Sequence, residues 1–76
     1  MKSFETIAHE MLHIEITPSM ETLTPKDVPD WDSMNYLLFI AELEKEYGVS
    51  FTMDEVLSAQ NLGDVKRALI QKGIAL

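Results

Sequence analysis

The stretch from Ser33 to Tyr47 constrains this chain most. It is the longest run free of proline and glycine that carries apolar residues at helical spacing, and Gly48 stops it. A loop punctuated by Pro18, Pro25 and Pro29 precedes it, and residues before proline are biased away from helix. The spacing therefore predicts a helix over 33–47 with Gly48 as its C-cap. At about 100° per residue its apolar side chains fall into two arcs. Tyr36, Phe39, Ile40, Leu43 and Tyr47 share one, and Met34, Leu37, Leu38 and Ala41 share the other. Asn35, Glu42 and Glu46 lie on the polar side, and Glu44 separates the arcs. A helix with two apolar faces is either central in a bundle or keeps one face for partners, and the pattern alone leaves both open.

The flanking segments read as further helices. Ser3 can cap a first helix whose stripe is Phe4, Ile7, Ala8, Met11 and Leu12. The run from Ile14 to Thr17, followed by Pro18, ends it. Residues 17–31 form a long loop, with Met20, Leu23 and Val28 as anchors to the core. A loop of this length in a small domain is often functional. Val49-Ser50-Phe51 is a short extended connection. Thr52-Met53-Asp54-Glu55 fits a capping box that opens a short helix through Leu57. Asn61 caps a last helix with the stripe Leu62, Val65, Ala68 and Leu69, and Gly73 stops it. The expected order is a long first helix, a long loop, a helix, a short helix and a helix. No repeat, low-complexity tract or second domain is visible, so residues 1–76 are expected to form one domain. The fold class is all-α, a small four-helix bundle with a short third helix.

Composition narrows the means of stabilising such a bundle. The chain has 76 residues and no cysteine. Disulfides and Cys-ligated zinc are excluded, leaving helix packing to hold a marginal core. The formal charge is −7, from 13 acids and 6 bases. All the acids lie in residues 1–64, while Lys66, Arg67 and Lys72 stand beyond them. An acidic body repels nucleic acid and anionic membranes and steers toward basic protein surfaces, although acidity also serves solubility. No apolar run approaches the ~18–20 residues that span a bilayer, and Met1 to Glu5 lack the apolar core of a signal peptide. The expected location is the cytoplasm of a bacterium or an organelle.

Three segments carry a family resemblance. Asp32-Ser33-Met34 opens the second helix behind Trp31. Leu43-Glu44-Lys45-Glu46-Tyr47-Gly48-Val49-Ser50-Phe51 resembles an L-E-x-E-F-G-I-x-F segment, and Asn61-Leu62-Gly63-Asp64-Val65 resembles T-V-G-D followed by an apolar residue. In this order and spacing they resemble the acyl and peptidyl carrier protein family over nearly the whole chain, with Met34 in place of the usual leucine. The resemblance implies that Ser33 carries a 4'-phosphopantetheine arm taken from coenzyme A, and that Asp32 helps orient the site. It implies a carrier and not a catalyst, so no catalytic residue is expected. A phosphopantetheinyl transferase and enzymes that load and transfer acyl groups would be its partners. Within the helices, Phe39, Ile40, Leu43 and Leu62 would line the path of any acyl chain that enters the bundle. The helix opening itself offers an exposed hydroxyl and a positive dipole end that favours a phosphodiester. Plain helix capping by Asp32 or Ser33 is the competing explanation of the pair.

By position, the family's partner face would contain Met34, Leu37, Leu38, Ala41 and Glu44, together with Lys45. Leu38 and Lys45 stand where acids are common in the family. This departure, with the Trp31-Asp32-Ser33 form, points away from primary fatty-acid synthesis. It suggests a specialised fatty-acid, polyketide or related pathway, or a free-standing aminoacyl carrier of the D-alanyl type. The expected state is a monomer, binding neither nucleic acid nor membrane.

Two other readings compete. His9-Glu10-Met11-Leu12-His13 matches H-E-x-x-H, the zinc-protease motif. The apolar stripe of the first helix puts both histidines on the opposite, solvent face, and no third ligand is evident; no metal site is expected. The second is a helical docking module without a prosthetic group. It would tolerate Ser33→Ala, whereas a carrier would lose all function.

Overall fold

A computed structural model describes residues 1–76. Four α-helices, α1 (Phe4–Leu12), α2 (Ser33–Tyr47), α3 (Met53–Ser58) and α4 (Leu62–Gln71), follow one another without strands. The all-α expectation and the short third helix hold. The longest helix is α2, not the first, since α1 has 9 residues against 15. The long connection between them is not wholly irregular: Met20–Thr22 make a 3-10 turn.

The helix ends follow from local chemistry. The Ser3 side chain accepts from the Thr6 amide at 3.1 Å. Thr52 and Glu55 form a reciprocal capping box, and Asn61 accepts from the Asp64 amide at 2.8 Å. Each satisfies amides that a helix start leaves free. At the end of α2, Gly48 turns left-handed at φ 65, and its amide donates to the Glu44 carbonyl at 2.8 Å. A side chain there would be strained, which explains the glycine. At the end of α1 the same conformation falls on His13, at φ 56.

The core forms where α1 lies along α2. Phe4 and Phe39 meet edge to face with ring centroids 5.8 Å apart, a favoured aromatic geometry. Ile7, Ala8, Leu12, Leu43, Leu62 and Leu69 are buried around them. The long loop is anchored by Met20 and Val28, both buried, with Leu23 half-buried against the core. Trp31 and Ile14 are buried as well, which the helical patterns did not show. Helix α4 closes onto the 3-10 turn: the Leu62 amide donates to the Leu23 carbonyl at 3.2 Å. Gly63 makes that approach feasible, since a Cβ there would stand 3.1 Å from the Glu21 carbonyl oxygen.

Lys66 fastens the same junction from outside. Its Nζ donates to Glu5 at 2.9 Å and to Glu21 at 3.2 Å, joining α4 to α1 and to the loop. The Glu5 partner holds the Lys66 ammonium above its ordinary range, and the Lys66 partner holds the Glu5 carboxyl below its own.

Candidate functional site

Ser33 is the first residue of α2. Asp32 takes the N-cap: its Oδ1 accepts from the Asn35 amide at 2.8 Å. The capping task therefore falls on Asp32. Ser33 is exposed, and its hydroxyl makes no hydrogen bond within the chain. A serine used as a cap would have its oxygen aimed back at the helix; this one is free for chemistry.

The ground beneath Ser33 is firm. Asn35 Nδ2 donates to the Asp30 carbonyl at 2.8 Å, binding the loop to the first turn of α2. The Trp31 amide donates to the Val28 carbonyl at 3.0 Å, and the Trp31 ring packs at a tilt against Tyr36 with centroids 5.6 Å apart. Tyr36 donates its hydroxyl to the Val56 carbonyl at 2.7 Å, tying α2 to α3. Burial, helped by the charge of Asp64, raises the Tyr36 phenol above its ordinary range. Trp31 and Tyr36 thus fix the chain just before and just after Ser33.

A shallow groove of about 230 Å³ opens beside Ser33, lined among others by Trp31, Asp32, Tyr36, Val56 and Leu57. Its walls offer two aromatic rings and aliphatic carbon, and its mouth is the positive end of α2. An anion placed at Ser33 would meet the free amides of the first helical turn. Phe39, Ile40, Leu43 and Leu62 do not line this groove; they are packed into the core.

The two arcs of α2 separate cleanly. Phe39, Ile40 and Leu43 are buried, with Tyr36 and Tyr47 half-buried beside them. Met34 is 72% exposed, Leu37 54% and Leu38 50%, and Ala41 and Lys45 are exposed with them. Glu44 differs from the other four residues of its expected set. It is half-buried, and its Oε2 accepts from the Phe51 amide at 2.8 Å, holding the turn into α3. Two residues outside the expected set are exposed apolar side chains on α3: Met53 is 66% exposed and Leu57 75%. Their separation of four residues puts them on one side of α3, a signal that a helix of so few residues makes easy to overlook.

The H-E-x-x-H segment is arranged otherwise than its motif requires. His13 lies past the end of α1 in a left-handed conformation. Its Nδ1 is 3.0 Å from Asp30 Oδ2, while His9 Nδ1 is 2.6 Å from the Ile14 carbonyl. Each imidazole has its own partner, on a different segment.

The family model described as "Phosphopantetheine attachment site" matches residues 31–69, more than half of the chain. No curated protein and no solved structure gives a significant match. The chain belongs to the phosphopantetheine-attachment family, whose members bear covalently attached 4'-phosphopantetheine. The matched span begins at Trp31 and takes in the groove's lining except Pro25, together with α2, α3 and most of α4. The molecule is therefore a phosphopantetheine-bearing carrier protein, and a phosphopantetheinyl transferase and acyl-handling enzymes are its partners in general. No helix is long and apolar enough to cross a membrane.

Proposed function

We propose that Ser33 is the attachment residue, and that the protein is a non-catalytic acyl carrier for a specialised fatty-acid, polyketide or related pathway. The observation that carries this reading is the division of labour at the start of α2. Asp32 satisfies the helix amide, and Ser33 keeps an exposed, unbonded hydroxyl at the positive helix end. In the attachment step the Ser33 oxygen displaces 3',5'-ADP from coenzyme A, forming a phosphodiester bond and giving up its proton to the transferase. The chain has to expose the oxygen and tolerate the new negative charge, and the free amides of the first turn favour that charge. Once attached, the arm supplies a thiol that carries the cargo as a thioester. Asp32 holds the helix start in register, while Trp31, Tyr36 and Leu57 offer apolar walls beside the arm's root.

Partner enzymes would cover Met34, Leu37, Leu38 and Ala41, with Glu44 supporting this face through its hold on the Phe51 amide. We assign the protein a single domain over residues 1–76, a monomeric state and a place in the cytoplasm. An aminoacyl cargo of the D-alanyl type is the alternative within the same chemistry.

The test is the intact mass after incubation with coenzyme A, magnesium and a broad-specificity phosphopantetheinyl transferase. A gain of one phosphopantetheine in the native chain is expected. A folded, unmodified chain that gains nothing would remove Ser33 from its role and favour the docking module.

A further inference from the structure

The outer stripe of α2 is unusual for so acidic a molecule. Met34, Leu38, Ala41 and Lys45 follow i, i+4, i+7 and i+11, a single line along about 16 Å of helix, with Leu37 beside it. The three acids of α2 are directed elsewhere. Glu44 holds the Phe51 amide, Glu46 accepts from the Lys2 amide at 3.1 Å, and Glu42, half-buried, acts electrostatically on the Lys2 ammonium. The only charge left on the stripe is positive. Lys45 forms no ion pair, nor does Lys26 in the loop, while Lys2, Lys66, Arg67 and Lys72 each do. Met53 and Leu57 add exposed apolar surface on α3, and Leu57 lies across the groove from Ser33.

Resting on the reading of Ser33 as attachment site, we propose that the enzymes reaching it dock by apolar burial. Their carrier-facing surface is an apolar seat for Met34, Leu37 and Leu38, with a carboxylate opposite Lys45. Charge complementarity selects this partner. A basic docking surface would meet no carboxylate on the stripe and would face Lys45 at the far end of it. Like charges brought together across an interface oppose association, and desolvated leucine and methionine favour it. Such docking is salt-tolerant, because burial of apolar surface is not screened. The net charge of −7 then acts on solubility and long-range approach and not on the seat itself.

The experiment uses the full chain and two broad-specificity transferases, one with an apolar carrier-facing surface and one with a basic surface. kcat/KM for modification is measured for the native chain, Leu38→Glu and Lys45→Glu, from about 50 to about 500 mM NaCl. Both positions are exposed, so the variants should fold, which circular dichroism checks. The proposal expects the apolar-faced enzyme to be preferred and to lose less than about threefold across the salt range. Leu38→Glu should lower its kcat/KM by roughly tenfold or more, and both substitutions should raise the rate with the basic-faced enzyme. Preference of the native chain for the basic-faced enzyme, with steep loss in salt, would overturn this inference and leave Ser33 modified, its role intact. Modification by neither enzyme would overturn the attachment reading and the inference with it. A concentration-dependent dimer that Leu38→Glu dissolves would make the occupant a second copy and also overturn the proposal.

Discussion

The two faces of α2 are built from the same kinds of side chain and do opposite things. Phe39 and Leu43 have no exposed surface, whereas Met34 and Leu38 on the other side are at least half exposed. Burial of apolar area stabilises the fold by roughly 25 cal/mol per Å², so the inner face contributes to folding and the outer face contributes almost nothing. A carrier of 76 residues has little apolar surface to spare. Three large apolar residues left in water on one helix, Met34, Leu37 and Leu38, are thus the clearest sign that something else covers them in use. Ser33 stands where that face begins.

The sharpest way to break this comparison is to truncate one residue on each side. Phe39→Ala should lower unfolding stability by ~3–5 kcal/mol, because it opens a cavity against Phe4. Leu38→Ala should change stability by less than ~0.5 kcal/mol. Urea unfolding of the two variants checks both. Equal losses would mean that the outer face is also part of the core.

A second contrast is between the cap and the serine it sets free. Asp32→Ala removes the acceptor for the Asn35 amide and should cost about 1 kcal/mol, while Asp32→Asn keeps an acceptor and should cost a few tenths. If modification of Ser33 follows the cap, Asp32→Asn will retain most of it; if the charge itself is read by the transferase, both variants will lose it. Glu44→Gln should cost less than the cap, since a neutral amide oxygen can still accept from Phe51. Thermal melts resolve this order.

Acid should first loosen the ion pairs and cap that tie α4 to its neighbours. Glu5, Glu55 and Asp64 are held below their ordinary range, chiefly by Lys66, by Lys72 and by the Gln60 amide respectively. A depressed carboxyl contributes stability above its unfolded value and loses it as pH falls through its folded value. Stability should therefore be flat from neutral pH down to about the ordinary glutamate value of 4.5 and fall below it. The raised Lys66 gives the mirror case: its contribution is complete below the ordinary lysine value of 10.5 and fades as pH rises beyond it. Lys66→Met should flatten the acid limb where Leu38→Ala does not, as read by denaturation midpoint against pH.

Much of this arrangement was legible in the residues because caps and stops are local. Ser3, Thr52, Asn61 and Gly48 act within a few residues of themselves, and each helix start or stop falls where its cap chemistry places it. The choice between the two arcs of α2 was not legible, because both have helical period and similar hydrophobicity. It depends on which arc α1 covers, and that is a tertiary fact. The half-burial of Glu44 was not legible for the same reason: its acceptor role depends on where the turn brings Phe51. Trp31 lies outside any periodic stripe, so its burial against Tyr36 could not be read from spacing. The expected start at Ser33 agrees with the observed helix, but that Asp32 alone holds the cap and leaves the Ser33 hydroxyl free rests on the Asn35 amide bond, which spacing does not show.

The most direct test combines fold and chemistry on one substitution, Ser33→Ala. The account predicts a melting temperature close to that of the native chain, since an exposed, unbonded hydroxyl contributes nothing to the fold, together with complete loss of the phosphopantetheine mass gain. A variant that still gains the full mass would contradict the account outright, because another residue would then bear the arm.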